Sequence, residues 1–195
     1  MPLTTSTSSS TALKRCDLPN NSGYDIETAE LALGCTVSGR LYFIKDEFFD
    51  TVGEEYLKMN KEDTQRPHYY TFKDSATGLL WVIPCSKQVG KYKAIIEKKK
   101  KAGKKHNHIQ IIKVNGIEQA FLFQDMFPII EKYIKNPYIK QKVFMEIKDP
   151  KKLSAIEDNA KDIIKLMRHG VKFTPTQPDS VRIESMMIEE LNKEE

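Results

Sequence analysis

The sequence has few cysteines and no long apolar segment. Its three cysteines, Cys16, Cys35 and Cys85, are odd in number and show no CxxC spacing, so they indicate neither a disulfide framework nor a zinc site. No apolar run reaches the length of a membrane span, and no charged-then-apolar leader is typical of a secretory signal. These absences disfavour a membrane protein and a disulfide-rich secreted protein, and we expect a location in the reducing cytoplasm.

Lysine is abundant, and it is concentrated in one segment. The net charge is only +4, yet between Ser86 and Asn115 ten lysines stand against one acidic residue, Glu97. A charge run often does no more than keep a surface solvated. A focused run beside a polar turn, however, favours binding of a polyanion.

Residues 1–38 differ in composition from the rest of the 195-residue chain. They are poor in large apolar side chains and open with a serine- and threonine-rich run from Thr4 to Thr11. Such a segment cannot bury enough surface to offset the entropy that it loses on ordering. We therefore predict a disordered extension over residues 1–38, followed by a single domain over residues 39–195.

Hydrophobic periodicity and turn signals predict strands and helices throughout that domain. The predicted strands are Leu41–Lys45, His68–Lys73, Leu79–Ile83, His108–Val114, Ile117–Phe123 and an edge strand within Phe127–Ile134. The predicted helices are one capped by Asp46 that runs through Val52, then Gln88–Lys100, Pro150–Arg168 and Ser180–Lys193. Asn115 and Gly116 favour a type I′ hairpin turn. The pattern predicts an α+β fold, with helices packed around an antiparallel, hairpin-built sheet.

A polar turn follows the central predicted strand, Leu79–Ile83. Pro84 cannot donate a backbone hydrogen bond, so we expect the strand to end there. Ser86 and Lys87 follow directly, just before the helix predicted from Gln88. A hydroxyl and an ammonium beside a helix N-terminus, whose amides attract anions, favour binding and activation of a phosphate. The alternative is an ordinary polar turn that contains a serine and a lysine.

Arg66 and His68 form a second polar group, at the start of the strand that precedes the central one. Arginine matches phosphate oxygens bidentately, and histidine exchanges a proton near neutral pH. If the two strands pair as a hairpin, His68 and the Pro84–Lys87 turn should lie at the same edge of the sheet. The alternative is a surface arginine with a satisfied strand-end histidine.

Aromatic side chains and lysines near this edge suggest contacts with RNA. Of the aromatic residues that could stack on unpaired bases, most should be core, and Tyr42, Tyr69 and Tyr92 are the candidates for RNA binding. The lysines predicted to contact RNA phosphates are Lys91, Lys98, Lys99, Lys100, Lys101, Lys104 and Lys105. His106 and His108 share a strand face but have no evident third ligand, so we predict no metal site.

Four motifs occur in order across most of the chain, from about Leu41 to Lys193. They are Leu41–Phe49; Arg66–Tyr70; Trp81–Pro84 with Ser86, Lys87, Lys91 and Tyr92; and Asp125–Pro128 with Glu131–Ile134. In these motifs the chain resembles the endoribonuclease toxins of type III toxin–antitoxin systems, the ToxN/AbiQ group, and most closely its CptIN branch.

The resemblance implies a compact, strongly twisted antiparallel sheet like that of the MazF/Kid toxins, surrounded by helices. It also implies a ribonuclease that needs no metal or other cofactor and leaves a 2′,3′-cyclic phosphate. Its partners would be cellular or phage RNA and a small pseudoknotted RNA antitoxin, which the toxin processes and which inhibits it in a toxin–RNA hetero-oligomer. The family's active-site serine and lysine carry over onto Ser86 and Lys87, and the position of its early-strand basic residue falls on His68. Cys85 departs from the pattern, which more commonly has serine or threonine there.

Together these patterns predict an endoribonuclease in which the RNA 2′-hydroxyl attacks the adjacent phosphate. In this hypothesis Lys87 and Arg66 stabilise the phosphorane, Ser86 orients the phosphate and His68 moves a proton. Two alternatives stay open: a non-catalytic RNA-binding module, and a MazF-like toxin countered by a protein antitoxin.

Overall fold

The computed structural model describes residues 36–60 and 65–194. Most of the extension predicted for residues 1–38 therefore lies outside the described residues. Two of its last residues are hydrogen-bonded to the domain. The Thr36 hydroxyl donates a 2.6 Å hydrogen bond to Glu131 Oε1, and the Val37 amide donates a 2.8 Å bond to the Tyr42 hydroxyl. In the part of the chain that is described, no helix is both long and apolar enough to cross a membrane.

Nine strands and four α-helices lie in the described residues. The strands are β1 Leu41–Ile44, β2 His68–Lys73, β3 Leu80–Ser86, β4 Ile109–Val114, β5 Ile117–Leu122, β6 Phe127–Ile129, β7 Ile134–Pro137, β8 Ile139–Lys140 and β9 Val143–Phe144. The helices are α1 Asp46–Val52, α2 Val89–Lys101, α3 Pro150–Arg168 and α4 Ser180–Glu194. Two short 3₁₀ helices, Phe123–Asp125 and Glu131–Tyr133, flank β6.

The main sheet has seven strands, in the order β4-β5-β3-β2-β1-β7, with β6 paired to β3 outside this path. Every strand pair in it is antiparallel, which confirms the predicted α+β class with an antiparallel sheet. The segment predicted as one edge strand is instead divided by the 3₁₀ helix Glu131–Tyr133 into β6 and β7. The small hairpin of β8 and β9 was not predicted.

The hairpin of β2 and β3 determines where the polar residues lie. Its register pairs Lys73 with Leu80 at the turn and His68 with Pro84 at the open end, so the expected meeting of the two strand ends is confirmed. The prediction that the central strand ends at Pro84 is wrong. Beyond this proline, which has no amide to donate, β3 continues to Ser86 by changing its partner from β2 to β5.

The first helix also differs from the prediction in detail. Lys45, not Asp46, occupies the N-cap position, and no side chain caps this helix. Asp46 lies in the first turn, where a negative charge suits the helix dipole, and its Oδ1 accepts a 2.8 Å hydrogen bond from Asn60. Gly53 ends the helix in a left-handed conformation at φ 57°, which glycine adopts without strain.

The core occupies both faces of the sheet, since alternate residues of β3 point to opposite sides. Trp81, Ile83 and Cys85 pack in a cluster that includes the apolar stripe of α3. Leu80 and Val82 pack in a second cluster with side chains of α1 and α4. The central strand is therefore buried on both faces, as its apolar sequence predicts. This packing holds its C-terminal end in a fixed position.

Candidate functional site

Polar side chains from three segments meet where β3 ends and α2 begins. Ser86 is 8% exposed, and its Oγ accepts a 3.2 Å hydrogen bond from the Gln88 amide. The Tyr92 hydroxyl, from the first turn of α2, lies close enough to the same serine for Ser86 to influence the pKa of this hydroxyl. Burial, together with the negative charge of Asp125, raises the pKa of Tyr92 above its ordinary value of 10.0, so this hydroxyl keeps its proton at neutral pH.

Lys87 follows Ser86 and is exposed. Among the described residues its ammonium has no ion-pair partner within 4.0 Å. Its backbone carbonyl accepts a 2.8 Å hydrogen bond from the Val89 amide at the start of α2. The lysine is therefore tied to a rigid turn through its backbone, while its charge stays available to an anion.

Arg66 is fixed to the same strand end by hydrogen bonds at its backbone and at its guanidinium. Its amide donates a 2.9 Å hydrogen bond to Asn60 Oδ1, and its Nη1 donates a 3.1 Å bond to the carbonyl oxygen of Cys85. Its Nε is buried without a partner in the described structure. The structure thus ties the Arg66 guanidinium to the carbonyl of the residue before Ser86, which places a cation at the same strand end as the serine.

His68 lies in the core, not at the surface of the site. It is 0% exposed, and its ring contacts Phe49 and Phe127 at centroid distances of 6.1 Å and 5.5 Å. Burial, with a further contribution from the Arg66 charge, lowers the pKa of His68 to about 3, against a smaller opposing effect of the Arg66 backbone. Within the described structure, neither ring nitrogen has a hydrogen-bond partner of normal geometry. The imidazole is neutral and closed to RNA, so the role of proton carrier expected from the sequence does not fit this position.

Two of the tyrosines expected to contact RNA are also buried. Tyr42 is 4% exposed and Tyr69 is 1% exposed, and the Tyr69 ring packs against Phe121 at 4.9 Å. Neither ring presents a face to a base, which corrects the expectation for these two residues. Tyr92 is partly exposed. Its hydroxyl belongs to the polar site, and the residue is not part of a separate stacking surface.

The lysine run forms a patch of its own, at the far end of α2. Lys91 is exposed near the start of the helix, and Lys98, Lys100, Lys101, Lys104 and Lys105 are exposed at or beyond its end. Because α2 has 13 residues, it spans about 20 Å. The patch is therefore too distant for its terminal lysines to act on a phosphate held at Ser86.

Lys99 differs from the other lysines of this patch. Its Nζ lies 2.7 Å from Nε2 of His108, a residue 3% exposed whose ring stacks on Phe173. Burial and the Lys99 charge lower the pKa of His108 to about 4, so this imidazole is neutral and accepts the lysine's hydrogen bond. Lys99 thus anchors the end of α2, and the exposed lysines remain the candidates for contact with RNA.

The sequence reasoning did not identify Asp125 and Lys58. Asp125 is 3% exposed, in the 3₁₀ helix Phe123–Asp125, and its Oδ2 lies 3.9 Å from Lys58 Nζ. Burial raises the pKa of Asp125 to about 6, although the charge of Lys58, the neighbouring Gln124 side chain and the charge of Arg66 oppose this shift. The only charged residue in a run that is apolar except for Gln124, from Ala120 to Ile130, was the signal that could have revealed it.

In chemical terms the site combines cations with hydroxyl groups. Arg66 and Lys87 supply positive charge, and Ser86 and Tyr92 supply hydroxyls at a rigid strand end. Such a set can orient a phosphodiester and stabilise charge that develops on it. No group of three or more His, Cys, Asp or Glu side chains in the described structure could hold a metal ion.

Comparison with known proteins supports the fold. No family profile matches the chain, and no curated protein matches it at the sequence level. Its structure is similar to that of AbiQ, a lactococcal anti-phage endoribonuclease of the type III toxin–antitoxin system, with a TM-score of 0.62 and 13% identity. The match covers 82% of this chain and 100% of AbiQ.

A second solved structure has a related fold. It comes from a bacterial type III toxin–antitoxin system in which a non-coding RNA pseudoknot selectively inhibits the toxin. The TM-score is 0.54 at 16% identity, over 82% of this chain and 100% of the other. At these identities the likeness establishes that the chain shares the fold of type III toxins.

Proposed function

We propose that the chain is the toxin of a type III toxin–antitoxin system and cleaves RNA without a metal ion. The observation that carries this proposal is the hydrogen bond from Arg66 to the Cys85 carbonyl, which holds a cation beside Ser86 and the exposed Lys87. The shared fold with AbiQ, itself an anti-phage endoribonuclease, supports the same function. The predicted kinship with the CptIN branch and a role in phage defence belong to this proposal.

Cleavage would proceed by attack of the RNA 2′-oxygen on the adjacent phosphorus. That bond forms while the bond from phosphorus to the 5′-oxygen breaks, and the product carries a 2′,3′-cyclic phosphate. Solvent water takes up the proton that leaves the 2′-hydroxyl, and a second proton is delivered to the departing 5′-oxygen. Arg66 and Lys87 offset the charge that develops on the phosphate, and Ser86 orients it.

Tyr92 replaces His68 as the candidate for proton transfer. Its hydroxyl is near Ser86 and the residue is partly exposed, whereas the imidazole is buried. Because its pKa is raised, the hydroxyl is protonated at neutral pH and suits the acid that protonates the 5′-oxygen. His68 contributes to packing against Phe49 and Phe127 in this account.

The RNA antitoxin would bind partly through the lysine patch. Exposed lysines at the end of α2 contact phosphates without selecting a base sequence. A folded RNA could therefore extend from this patch to the end of β3. The toxin would process the antitoxin from its precursor and remain bound to it in a hetero-oligomer.

The direct test is to incubate the purified protein with single-stranded RNA in the presence of EDTA and to analyse the 3′ ends of the fragments. Fragments ending in 2′,3′-cyclic phosphate are the expected result. Intact RNA that nevertheless binds the protein would favour a non-catalytic RNA-binding module, for which the separate lysine patch is the supporting observation. A protein, rather than an RNA, that co-purifies as the inhibitor would favour the MazF-like alternative.

A further inference from the structure

Asn60 is hydrogen-bonded to Arg66 of the candidate active site, yet it takes no part in the cleavage proposed above. Its Nδ2 donates to the carbonyl oxygen of Ile44, at the end of β1, at 3.1 Å. The same nitrogen donates to Asp46 Oδ1, in the first turn of α1, at 2.8 Å. Its Oδ1 accepts a 2.9 Å hydrogen bond from the Arg66 amide. One short side chain thus joins β1 and α1 to the entrance of β2.

Only one orientation of the Asn60 side chain fits these partners. The Ile44 carbonyl and the Asp46 carboxylate are acceptors and require its NH₂ group, whereas the Arg66 amide is a donor and requires its oxygen. Aspartate at this position would keep the acceptor and lose both donors, and its second oxygen would face the Asp46 carboxylate. Asparagine therefore satisfies all three partners, and aspartate satisfies one.

The backbone of Arg66 depends on this contact because the strand ladders begin beyond it. The pairing of β2 with β1 and with β3 starts at His68, two residues further along the chain. The Arg66 amide is attached instead to Asn60, and the following Pro67 favours an extended backbone at Arg66. These constraints set the position from which the arginine side chain extends.

The guanidinium of Arg66 has one hydrogen bond of its own. Nη1 donates to the Cys85 carbonyl oxygen at 3.1 Å, and Nε is buried without a partner in the described structure. A single contact at the tip does not define the path of a long side chain. With the backbone held as well, the side chain is fixed at both ends, and its remaining N–H groups can meet a phosphate in one geometry.

We propose that Asn60 is a positioning residue, which fixes the backbone of Arg66 and so sets where the guanidinium meets the RNA phosphate. Asp46 and the Ile44 carbonyl hold Asn60 in turn. This inference rests on the proposed function, because Arg66 acts on a phosphate only there. No proton or covalent bond is transferred to or from Asn60. Its contribution is the placement of a cation, and misplacement by about 1 Å can reduce a rate by about a hundredfold.

Exchanging the two hydrogen-bonded side chains tests this role. Asn60→Asp sets two carboxylates against each other, so the acceptor of the Arg66 amide should move. The exchange variant, Asn60→Asp with Asp46→Asn, restores a hydrogen bond between the two side chains with donor and acceptor reversed, and it keeps the net charge of wild type. We expect Asn60→Asp to lower kcat/KM for a short single-stranded RNA about tenfold to a hundredfold, and the exchange variant to recover most of that loss.

Two further variants keep the test independent of folding and of the added charge. Asn60→Ala removes the hydrogen bonds without a new carboxylate, so it should lower kcat/KM as well, and Asp46→Asn should not rescue it. Asn159→Asp is the matched control, because Asn159 is partly buried and bonded on both sides to Asn107, outside the candidate site. This control should keep kcat and KM close to wild type. Melting temperatures of all variants show that each is folded in the assay.

The Arg66→Ala background shows whether Asn60 acts through Arg66. This substitution keeps the backbone amide that Asn60 binds, so general damage to the fold by Asn60→Asp would still appear there. A positioning role predicts that Asn60→Asp has little further effect on kcat/KM beside Arg66→Ala. Equal losses in the two backgrounds, or an exchange variant no better than Asn60→Asp alone, would overturn the role of Asn60.

A binding measurement separates this inference from the proposed function. A fluorescent oligodeoxynucleotide lacks the 2′-hydroxyl and cannot be cleaved by this route, so its Kd reports phosphate binding alone. Asn60→Asp should raise that Kd about tenfold, as loss of a charge-assisted hydrogen bond would, and the exchange variant should restore it. A wild-type protein that binds the oligonucleotide but cleaves no RNA overturns the proposed function only. A Kd that Asn60→Asp leaves unchanged overturns the role of Asn60, and a wild-type protein that binds no oligonucleotide overturns both.

Discussion

Arg66 donates a 3.1 Å hydrogen bond to the carbonyl oxygen of Cys85, the residue immediately before Ser86. This contact joins the entrance of β2 to the end of β3 and sets a guanidinium at the backbone next to Ser86. It depends on the antiparallel register of the two strands, in which His68 lies opposite Pro84. The candidate site is therefore a consequence of the hairpin's register and of its rigid strands.

Replacing Arg66 should impair cleavage more than folding. Lysine at this position keeps the charge but loses the planar fork that spans the carbonyl and a phosphate together. We expect Arg66→Lys to reduce kcat/KM for RNA about tenfold and Arg66→Ala about a hundredfold or more. Rate measurements on variants with wild-type circular dichroism would check this, and an Arg66→Ala protein of wild-type activity would remove Arg66 from the site.

His68 gives a prediction about stability. A buried polar group without a partner costs about 1–3 kcal/mol, so His68→Leu should raise the free energy of unfolding at pH 7.5 or leave it unchanged. Since the pKa of His68 falls from 6.5 to about 3 on folding, the stability linked to its neutral form is present above pH 6.5 and is lost as the pH falls towards 3. His68→Leu should remove this part of the acid sensitivity.

Denaturant unfolding between pH 4 and pH 7.5 measures both effects on stability. Cleavage by His68→Leu should stay close to the wild-type rate, because the imidazole does not reach the surface. A well-folded His68→Leu protein without ribonuclease activity would instead restore the proton-transfer role expected from the sequence.

Part of the fold and of the candidate site could be predicted from the sequence. Local signals located several elements well: β2 was placed at His68–Lys73, α3 at Pro150–Arg168, and Asn115-Gly116 at a hairpin turn with φ values of 45° and 79°. Such elements depend on short-range turn and capping chemistry. The meeting of the two strand ends also followed from hairpin geometry.

What the sequence did not predict depends on distant contacts. The continuation of β3 past Pro84 requires β5 as a new partner. No local sequence pattern predicts this pairing. The orientation of His68 depends on Phe49 and Phe127 packing around it. Asp125 is notable because it is buried, and burial arises from the assembled fold and not from its neighbours in the chain.

The lysine patch should control binding of the RNA antitoxin. Replacing Lys98, Lys100, Lys101 and Lys104 with glutamine should weaken binding. The slope of log Kd against log salt should also decrease by about one for each lysine–phosphate ion pair that the replacements remove. Lys99 is left unchanged because it anchors α2 through His108. Cleavage of a short RNA that binds at Ser86 without contacting the lysine patch should be little affected.

The control variant replaces four other exposed lysines with glutamine, outside the patch on α2. Lys148, Lys151, Lys152 and Lys165 are exposed in or next to α3, so their replacement alters the net charge equally. An equal change of slope in both quadruple variants would mean that the patch on α2 has no special role.

The start of the described domain gives a prediction about the N-terminal segment. Residues 1–35 are poor in large apolar side chains, so we expect their deletion to leave the melting temperature nearly unchanged. Deleting residues 1–38 also removes the bonds of Thr36 to Glu131 and of Val37 to Tyr42. A loss of about 1 kcal/mol then corresponds to a melting temperature lower by about 2–4 °C. Calorimetry on both deletions checks this, and a large drop for residues 1–35 would contradict it.

Lys87 provides the most direct test of the central claim that the end of β3 is a ribonuclease active site. It is exposed, so Lys87→Ala should fold with the melting temperature of wild type. Loss of one group that stabilises the transition-state charge costs about a hundredfold to a thousandfold in rate. The measurement is the rate at which fragments with 2′,3′-cyclic phosphate ends appear from single-stranded RNA in EDTA, for wild type and Lys87→Ala. We predict rapid formation by wild type and a decrease of that size for the variant, whereas equal rates from two folded proteins would contradict the account.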